Sequence, residues 1–412
     1  MILTIERLGH LGDGIGHLPD GNPVYMPQTL PGEVIEGELR NDALQSPRIV
    51  TPSPDRVRPP CPHYRTCGGC SLQHARDDFV AGWKQDVVRA ALAAQGLEAE
   101  FRAVLTSPPQ SRRRATLAGR RTRKGAMVGF HGRASETLVE ISECRLLHPD
   151  LMEALPVLAA ITAQYGSRTA EMALTVTRAN SGLDLVVSGA KPVDAPMRME
   201  LARLAAAHRI ARLTWVSDGD AETIALIAAP VQSFGAALVA PPPGGFLQAT
   251  AGGEAALLAA IAEAVGGAKR VLDLFAGSGT FSLPLAARAE VHAVESDAPM
   301  LEALSKGWRN SQGLKRVTTE VRDLFRRPLL ADELKPYGAV VIDPPRAGAE
   351  AQMAALAASG VPVIAAVSCN PVTFARDAKL LAAGGYRLVW VQVVDQFRWS
   401  PHVELVALLT KP

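Results

Sequence analysis

The sequence predicts an α/β protein built on a doubly wound parallel sheet, with a small β-barrel at its N-terminus and an α+β region between the two. Three observations carry this expectation. From Phe246 onward, apolar strand-like runs (RVLDLF, EVHAVE, AVVIDPP, VPVIAAVSC) alternate with Ala/Leu-rich helical segments, and the chain closes on the pair YRLVWVQVVDQF and VELVALLTK. That alternation belongs to parallel strands joined by crossover helices, here finished by an antiparallel hairpin. In the first 52 residues, the short runs LTIERL, PVYMP and EVIEGELR are separated by the turn signals GDG, PDGN and LPGE, a pattern suited to a small closed barrel. Finally, 412 residues are more than one hydrophobic core organises, so two or three domains are expected.

Along the chain, the barrel is expected over residues 1–52 and ends at the Pro-rich TPSPDRVRPP. Residues 53–245 form the expected central α+β unit. Within it, DDFVAGWKQDVVRAALAAQGL has helical spacing with an acidic start and a Gly stop, LTVTRANSGLDLVVSG reads as a hairpin about residues 180–182, and MRMELARLAAAHR reads as a helix. The run PPPGG at 241–245 marks the boundary with the doubly wound unit, 246–412.

Composition narrows the class. Hydrophobic residues at 48% and charged residues at 20% describe a folded protein with ample core, which excludes a disordered chain. The N-terminal MILTIERLGHLGDGIG lacks the basic and apolar regions of a signal peptide, and no run of about 18 apolar residues is free of charge or Pro, so a cytoplasmic protein without membrane spans is expected. Of five cysteines, four fall within residues 61–144 and one stands at 369, which suits a metal site plus a separate thiol better than a disulfide framework. The net charge of +2 by itself implies no polyanionic partner. Between Glu100 and Glu136, however, no acidic residue interrupts Arg102, Arg112, Arg113, Arg114, Arg120, Arg121, Arg123, Lys124 and Arg133, and a strongly positive face is expected there.

The chemistry gathers at the predicted strand ends. VLDLFAGSGTFSLPLA sets Asp273 in a strand and follows it with Gly277, Gly279 and a helix, a turn that lets a ligand approach the backbone. Ser282 stands where a third glycine would complete a dinucleotide fingerprint, so a dinucleotide is disfavoured. Glu295 ends the next strand, where an acid that binds ribose hydroxyls belongs, and Asp323 ends a third. This arrangement resembles the class I S-adenosylmethionine-dependent methyltransferases.

Ligands of open parallel sheets bind beyond the carboxyl ends of the strands. Asp343 closes AVVIDPP and Cys369 closes VPVIAAVSC, while Glu404 starts a last strand that, if antiparallel, begins at the same edge. A thiolate, a carboxylate and a methyl sulfonium together suit methylation at carbon 5 of a pyrimidine. Carbon 5 is too weak a nucleophile unaided; thiolate addition at carbon 6 makes an enolate that reaches it, and a carboxylate then removes the carbon 5 proton.

The stretches GDGIGHLPDGNPVYMPQTLPGE, CPHYRTCGGCSLQH, DLFAGSGTFSLPLA, IDPPRAG, VSCNP and HVELVALL, spread over nearly the whole chain, resemble the 5-methyluridine RNA methyltransferases that combine a TRAM domain, an iron–sulfur cluster and a class I methyltransferase domain. The resemblance implies Cys369 as nucleophile, Glu404 as base and Asp343 as a contact to the flipped uracil and its surroundings. It implies a cofactor pocket for S-adenosylmethionine formed by Gln248, Asp273, Phe275, Gly277, Gly279, Thr280, Glu295, Asp323 and Asp343. One departure is Thr250, where the family usually shows Asn two residues after that Gln.

Cys61, Cys67 and Cys70, with the remote Cys144, could hold tetrahedral zinc or an iron–sulfur cluster on spacing alone. The resemblance favours a structural 4Fe-4S cluster on these four, with His63 and His74 left as surface residues. It also implies an RNA partner, ribosomal or transfer, no membrane, and a monomer. Two rivals stand beside this reading. An amino-methyltransferase on nucleic acid would place an aromatic after DPP, where this chain has Arg346, and has no use for Cys369. A redox-sensing iron–sulfur RNA-binding protein with an inactive methyltransferase domain would not be expected to keep Asp273, Asp343, Cys369 and Glu404.

Overall fold

The computed structural model describes residues 1–40 and 43–412; residues 41 and 42, inside the predicted barrel, lie outside the described residues. The last unit carries the expected sheet. Its strands lie in the order Val317–Val321, Glu290–Glu295, Arg270–Leu274, Ala339–Ile342, Val363–Ser368, Leu405–Thr410, Arg387–Asp395, Glu100–Phe101. The first five are parallel, and Leu405–Thr410 runs antiparallel to both of its neighbours. From Arg270–Leu274 the chain builds outward to one side, then returns to start Ala339–Ile342 on the other. A crevice therefore opens between these two strands.

Both faces of the sheet are covered, which is why its strands read as unbroken apolar runs. Leu272, Leu274, Val340 and Ile342 pack under the helices Glu350–Ala357 and Pro371–Ala383, while Val271, Ala339 and Val341 pack under Ala251–Val265 and Ala298–Arg309. The helix Asp77–Ala93, ahead of the central sheet in sequence, joins the first of these cores through Val88 and Leu92. Just after it, Glu100–Phe101 and Leu105–Thr106 pair with Arg387–Asp395.

The central seven-stranded sheet runs Leu138–Glu140, Ala126–His131, Arg114–Arg121, Met172–Ala179, Gly182–Ser188, Ile210–Ser217, Asp220–Leu226. The expected hairpin is Met172–Ala179 with Gly182–Ser188, and the expected helix is Ala195–Ala207. At the N-terminus, two three-stranded antiparallel sheets share a core of Leu3, Ile5, Leu18, Val24, Met26 and Ile35, giving a barrel-like unit. The linker after it is held by the fully buried Glu33, which accepts from Ser53 N at 3.1 Å and from Arg56 Nε at 2.5 Å.

Candidate active site

Asp273 sits near the end of its strand with Asp343 just beyond the neighbouring one. The chain then leaves through Phe275 at φ 63° and Gly277 at φ 55°. Gly277 supplies a left-handed conformation that a side chain resists, and its N–H donates to Glu295 Oε2 at 3.1 Å. Ser282, in place of the third glycine, donates its hydroxyl to Asp273 Oδ2 at 2.5 Å. Asp273 Oδ1 and the nearby Ser278 Oγ are buried and have no hydrogen-bond partner. Burial, with the charges of Asp343 and Glu295 adding to it, pushes the Asp273 carboxyl up to about 7. An unpaired buried carboxylate oxygen is costly, so a cationic donor at this turn would satisfy it. The amino-acid end of S-adenosylmethionine carries such a donor, and the site fits it.

Glu295 ends the adjacent strand and also receives Ser296 N and Asp297 N at 2.7 and 3.0 Å. Beyond the third strand, Asp323 Oδ1 accepts from Phe325 N at 3.0 Å, and the half-exposed Phe325 ring lies 5.5 Å from that of Phe275. The two rings offer an aromatic surface next to Asp323. Thr280 and Gly279 complete the turn.

The reactive groups meet at the neighbouring strand ends. Strand register pairs Ser368 with Leu405, so Cys369 and Glu404 are the next residues on two adjoining strands. Cys369 opens onto a cleft of about 870 Å³ with Arg346, Asn370 and His402. Asn370 caps the following helix by accepting from Val372 N at 3.1 Å, and it donates to Arg346 O at 2.9 Å, tying the two strand-end loops together. Burial first, then the Glu404 and Asp343 carboxyls, push the Cys369 thiol up to about 11, against the opposing charge of Arg346. The helix N-terminus beside it favours the thiolate.

Glu404 is 4% exposed, and burial followed by the Asp343 charge raises it well above the carboxylate range. Burial also raises Asp343, although it keeps partial access to the crevice. Two enclosed carboxyls that repel each other share protons rather than ionise together. Gln248, 2% exposed, donates from Nε2 to Asp343 Oδ2 at 3.2 Å, which puts it at the crevice wall. Thr250 caps the helix Ala251–Val265 through Gly253 N at 2.9 Å.

Two residues that sequence reasoning passed over, Gln396 and Lys84, and one that it read as part of the positive face, Arg113, hold this arrangement. Gln396 bonds both Gln248 and Glu404. Lys84, wholly buried, donates to Asp395 Oδ1 at 2.6 Å and to Phe397 O at 3.0 Å. Arg113 donates to Gln248 O at 3.0 Å and pairs with Glu254. A Lys at a buried position of an amphipathic helix was the one available signal; a loop glutamine and one arginine among nine basic residues carry none.

The arginine partners correct the expectation of one continuous positive face. Arg102 forms a bidentate pair with Glu263 and lies 3.8 Å over the Trp390 ring, Arg113 turns inward to Glu254, and Arg114 donates to Gly244 O at 2.8 Å. Both acids come from the helix Ala251–Val265, more than 130 residues away, and could not be matched to these arginines by local charge counting. Arg121, Arg123 and Lys124 remain exposed.

Cys61, Cys67, Cys70 and Cys144 line one cavity of about 510 Å³ with Tyr64, Arg112 and His402. Burial raises the thiols of Cys67, Cys70 and Cys144, Cys70 to about 12. Among the described residues, no group of three or more His, Cys, Asp or Glu side chains is arranged to hold a metal ion. His402 lines both this cavity and the Cys369 cleft. Contrary to expectation, His74 is buried: its Nδ1 lies 2.6 Å from the Tyr64 hydroxyl, amid the core of Leu72 and Ala75. His63 is half-buried against Ser142.

This sheet, with a glycine turn after its first strand, an acid ending the second, a crevice at the reversal of strand order and the antiparallel strand Leu405–Thr410, has the class I methyltransferase fold. Residues 242–412 match the tRNA (uracil-5-)-methyltransferase family. An RNA methyltransferase of Brucella suis is 44% identical over 99% of this chain and 97% of its own length. The 23S rRNA (uracil(1939)-C(5))-methyltransferase RlmD of Chromohalobacter salexigens is 35% identical over 99% of this chain and 89% of its own. The crystal structure of Pyrococcus abyssi tRNA (uracil-54, C5)-methyltransferase with S-adenosyl-L-homocysteine superposes with a TM-score of 0.76 at 25% identity, covering 100% of this chain and 99% of that one. The chain belongs to the RNA (uracil-5-)-methyltransferase family, and it transfers a methyl group from S-adenosylmethionine to carbon 5 of a uridine in RNA.

Proposed function

We propose that the enzyme methylates a uridine of ribosomal RNA through a covalent adduct at Cys369. The observation that supports this most is the strand register that sets Cys369 beside Glu404 at the crevice mouth. The target base leaves its stack to reach the crevice. Cys369 gives up its thiol proton to solvent, its thiolate Sγ adds to carbon 6, and the electron pair of the carbon 5–carbon 6 double bond moves into an enolate that is nucleophilic at carbon 5. Bound S-adenosylmethionine supplies the electrophilic methyl group. Glu404 then takes the carbon 5 proton, the C–H pair restores the double bond, and the carbon 6–sulfur bond breaks with its pair returning to sulfur. Asp343 contacts the uracil and its surroundings in this scheme, and Gln248 stands at the joint between substrate and cofactor. Asp273, Phe275, Gly277, Gly279, Thr280, Glu295 and Asp323 hold the cofactor.

Ribosomal RNA is favoured because the 23S rRNA enzyme aligns over the full chain at higher identity than the transfer RNA enzyme. Transfer RNA is the second reading, supported by the superposition over the whole chain. Mass spectrometry of 5-methyluridine in separated ribosomal and transfer RNA, from cells with and without the gene, decides between them. Loss of the base from 23S rRNA alone is expected; loss from transfer RNA alone would refute the ribosomal assignment.

The barrel-like N-terminus is read as a TRAM domain that contacts RNA, with the exposed Arg121, Arg123 and Lys124 as further phosphate contacts. A monomer acting in the cytoplasm is part of the same reading. Among the described residues, no helix is long and apolar enough to cross a membrane.

The four cysteines are read as ligands of a structural 4Fe-4S cluster. What supports this reading is that all four line one cavity, beside the resemblance to the cluster-bearing family. Anaerobically purified protein should be brown and contain about four irons per chain. Stoichiometric zinc, or a colourless metal-free protein that is fully active, would refute the cluster.

A further inference from the structure

Gln396 occupies a place that none of the mechanistic steps calls for. It follows the strand Arg387–Asp395, is 2% exposed, and is bonded through both ends of its amide. Its Oε1 accepts from the backbone N–H of Ala249 at 2.9 Å, which fixes which way the amide faces. The Nε2 must then point the other way, and it donates to Gln248 Oε1 at 2.6 Å and to Glu404 Oε2 at 3.1 Å. Because Gln248 Oε1 is an acceptor here, its Nε2 is turned to Asp343 Oδ2. Two amides thus run from one backbone N–H to both carboxyls of the crevice, each ending on one of them.

The surroundings are built to hold this amide still. Lys84 clamps Asp395 on one side of Gln396 and Phe397 O on the other, and Phe397 N donates to Asp395 Oδ1 at 3.1 Å. Across from it, a Cβ on Gly253 would stand 2.6 Å from Gln396 Cβ, so the helix Ala251–Val265 is bare where the glutamine lies against it. The ionisable groups that bear on Glu404 are Asp343 and Cys369. Arg346 bears on Cys369 and His402, and Lys84 is committed to Asp395.

We propose that Gln396 is a positioning residue that favours the ionised form of Glu404 against its burial and the neighbouring Asp343 carboxyl, and leaves Glu404 Oε1 as the oxygen that takes the carbon 5 proton. An N–H donor stabilises a carboxylate more than the neutral acid, and each carboxyl has one such donor. Removing the donor on one side therefore moves the shared proton toward that side. This inference rests on the assignment of Glu404 as base.

The test is the decay of the covalent protein–RNA adduct, followed by rapid quench in single turnovers with methyl-labelled cofactor between pH 5 and pH 10. In Gln396→Leu, the acidic limb of the decay rate should move up by about one to two pH units, with the rate approaching that of the wild type at high pH. Cofactor affinity and thermal melting show whether the variant is folded. Gln248→Leu should move the same limb to lower pH, because Asp343 loses its donor and takes the proton more readily; this opposite sign is one that a merely structural role would not produce. A limb that stays in place in both variants, or decay slowed equally at every pH, overturns the proposal. If Gln396→Leu does not fold, the Gln248→Leu profile decides alone. Should the adduct accumulate in Glu404→Gln while these profiles do not move, the inference fails and Glu404 remains the base; should Glu404→Gln form no adduct, the assignment of the base fails first.

Discussion

Glu404→Gln is expected to stop the enzyme after methyl transfer and to leave it covalently attached to its RNA. Thiol addition and methyl transfer do not use the carboxylate, whereas loss of the carbon 5 proton does. Without the base, the methylated adduct through Cys369 has no route to product. General bases contribute roughly 10²- to 10⁴-fold, so turnover should fall by about that factor while a methyl-labelled, denaturation-resistant band appears on a gel. The band should vanish when Cys369 is replaced as well. Glutamine fills the space of Glu404 and keeps an acceptor oxygen for Gln396, so the crevice should retain its shape. Normal turnover, or absence of any labelled adduct while RNA and cofactor still bind, would show that another group is the base.

Cys369→Ala should eliminate methylation, by about 10⁴-fold or more, because no other nucleophile supplies the carbon 6 bond that activates carbon 5. Cofactor affinity should stay within about twofold, since the thiol lies across the crevice from the glycine turn and the Asp273 carboxylate. Equilibrium binding of S-adenosylhomocysteine beside a turnover assay separates the two effects. In the wild-type protein without RNA, the thiol held up near 11 should be almost wholly protonated at neutral pH. Its alkylation should then quicken about tenfold for each pH unit until that value is reached. Residual methylation of more than a few per cent in Cys369→Ala would remove the covalent route and return the amino-methyltransferase rival to consideration.

How much of this site can be read from the chain depends on how local each signal is. Asp273, Gly277, Glu295, Asp343 and Cys369 each lie at the end of an apolar run, and the physics that ends a parallel strand also brings its last residue to the ligand edge. Glu404 was legible for a related reason: a final antiparallel strand starts at the edge where parallel strands finish, and the pairing of Ser368 with Leu405 meets that expectation. The alternation of apolar runs and helical segments pointed to a doubly wound sheet; its strand order, with the reversal between the strands of Asp273 and Asp343, is seen in the structure.

The sequence by itself therefore determined the type of sheet, the edge at which chemistry gathers and the residue types present there. Tertiary structure alone decided which groups govern their charge. Gln396 reaches Ala249 across 147 residues and Lys84 reaches Asp395 across 311. The arginines read as one positive face are split in the same way, Arg102 being paired at the surface with Glu263 and Arg113 drawn inward by Glu254, both acids from a distant helix. A side-chain hydrogen bond or ion pair depends on placement to within a few tenths of an ångström between segments that the chain brings together only after packing. Apolar periodicity reports which face of a strand or helix is buried, and is silent on which buried polar group finds which partner.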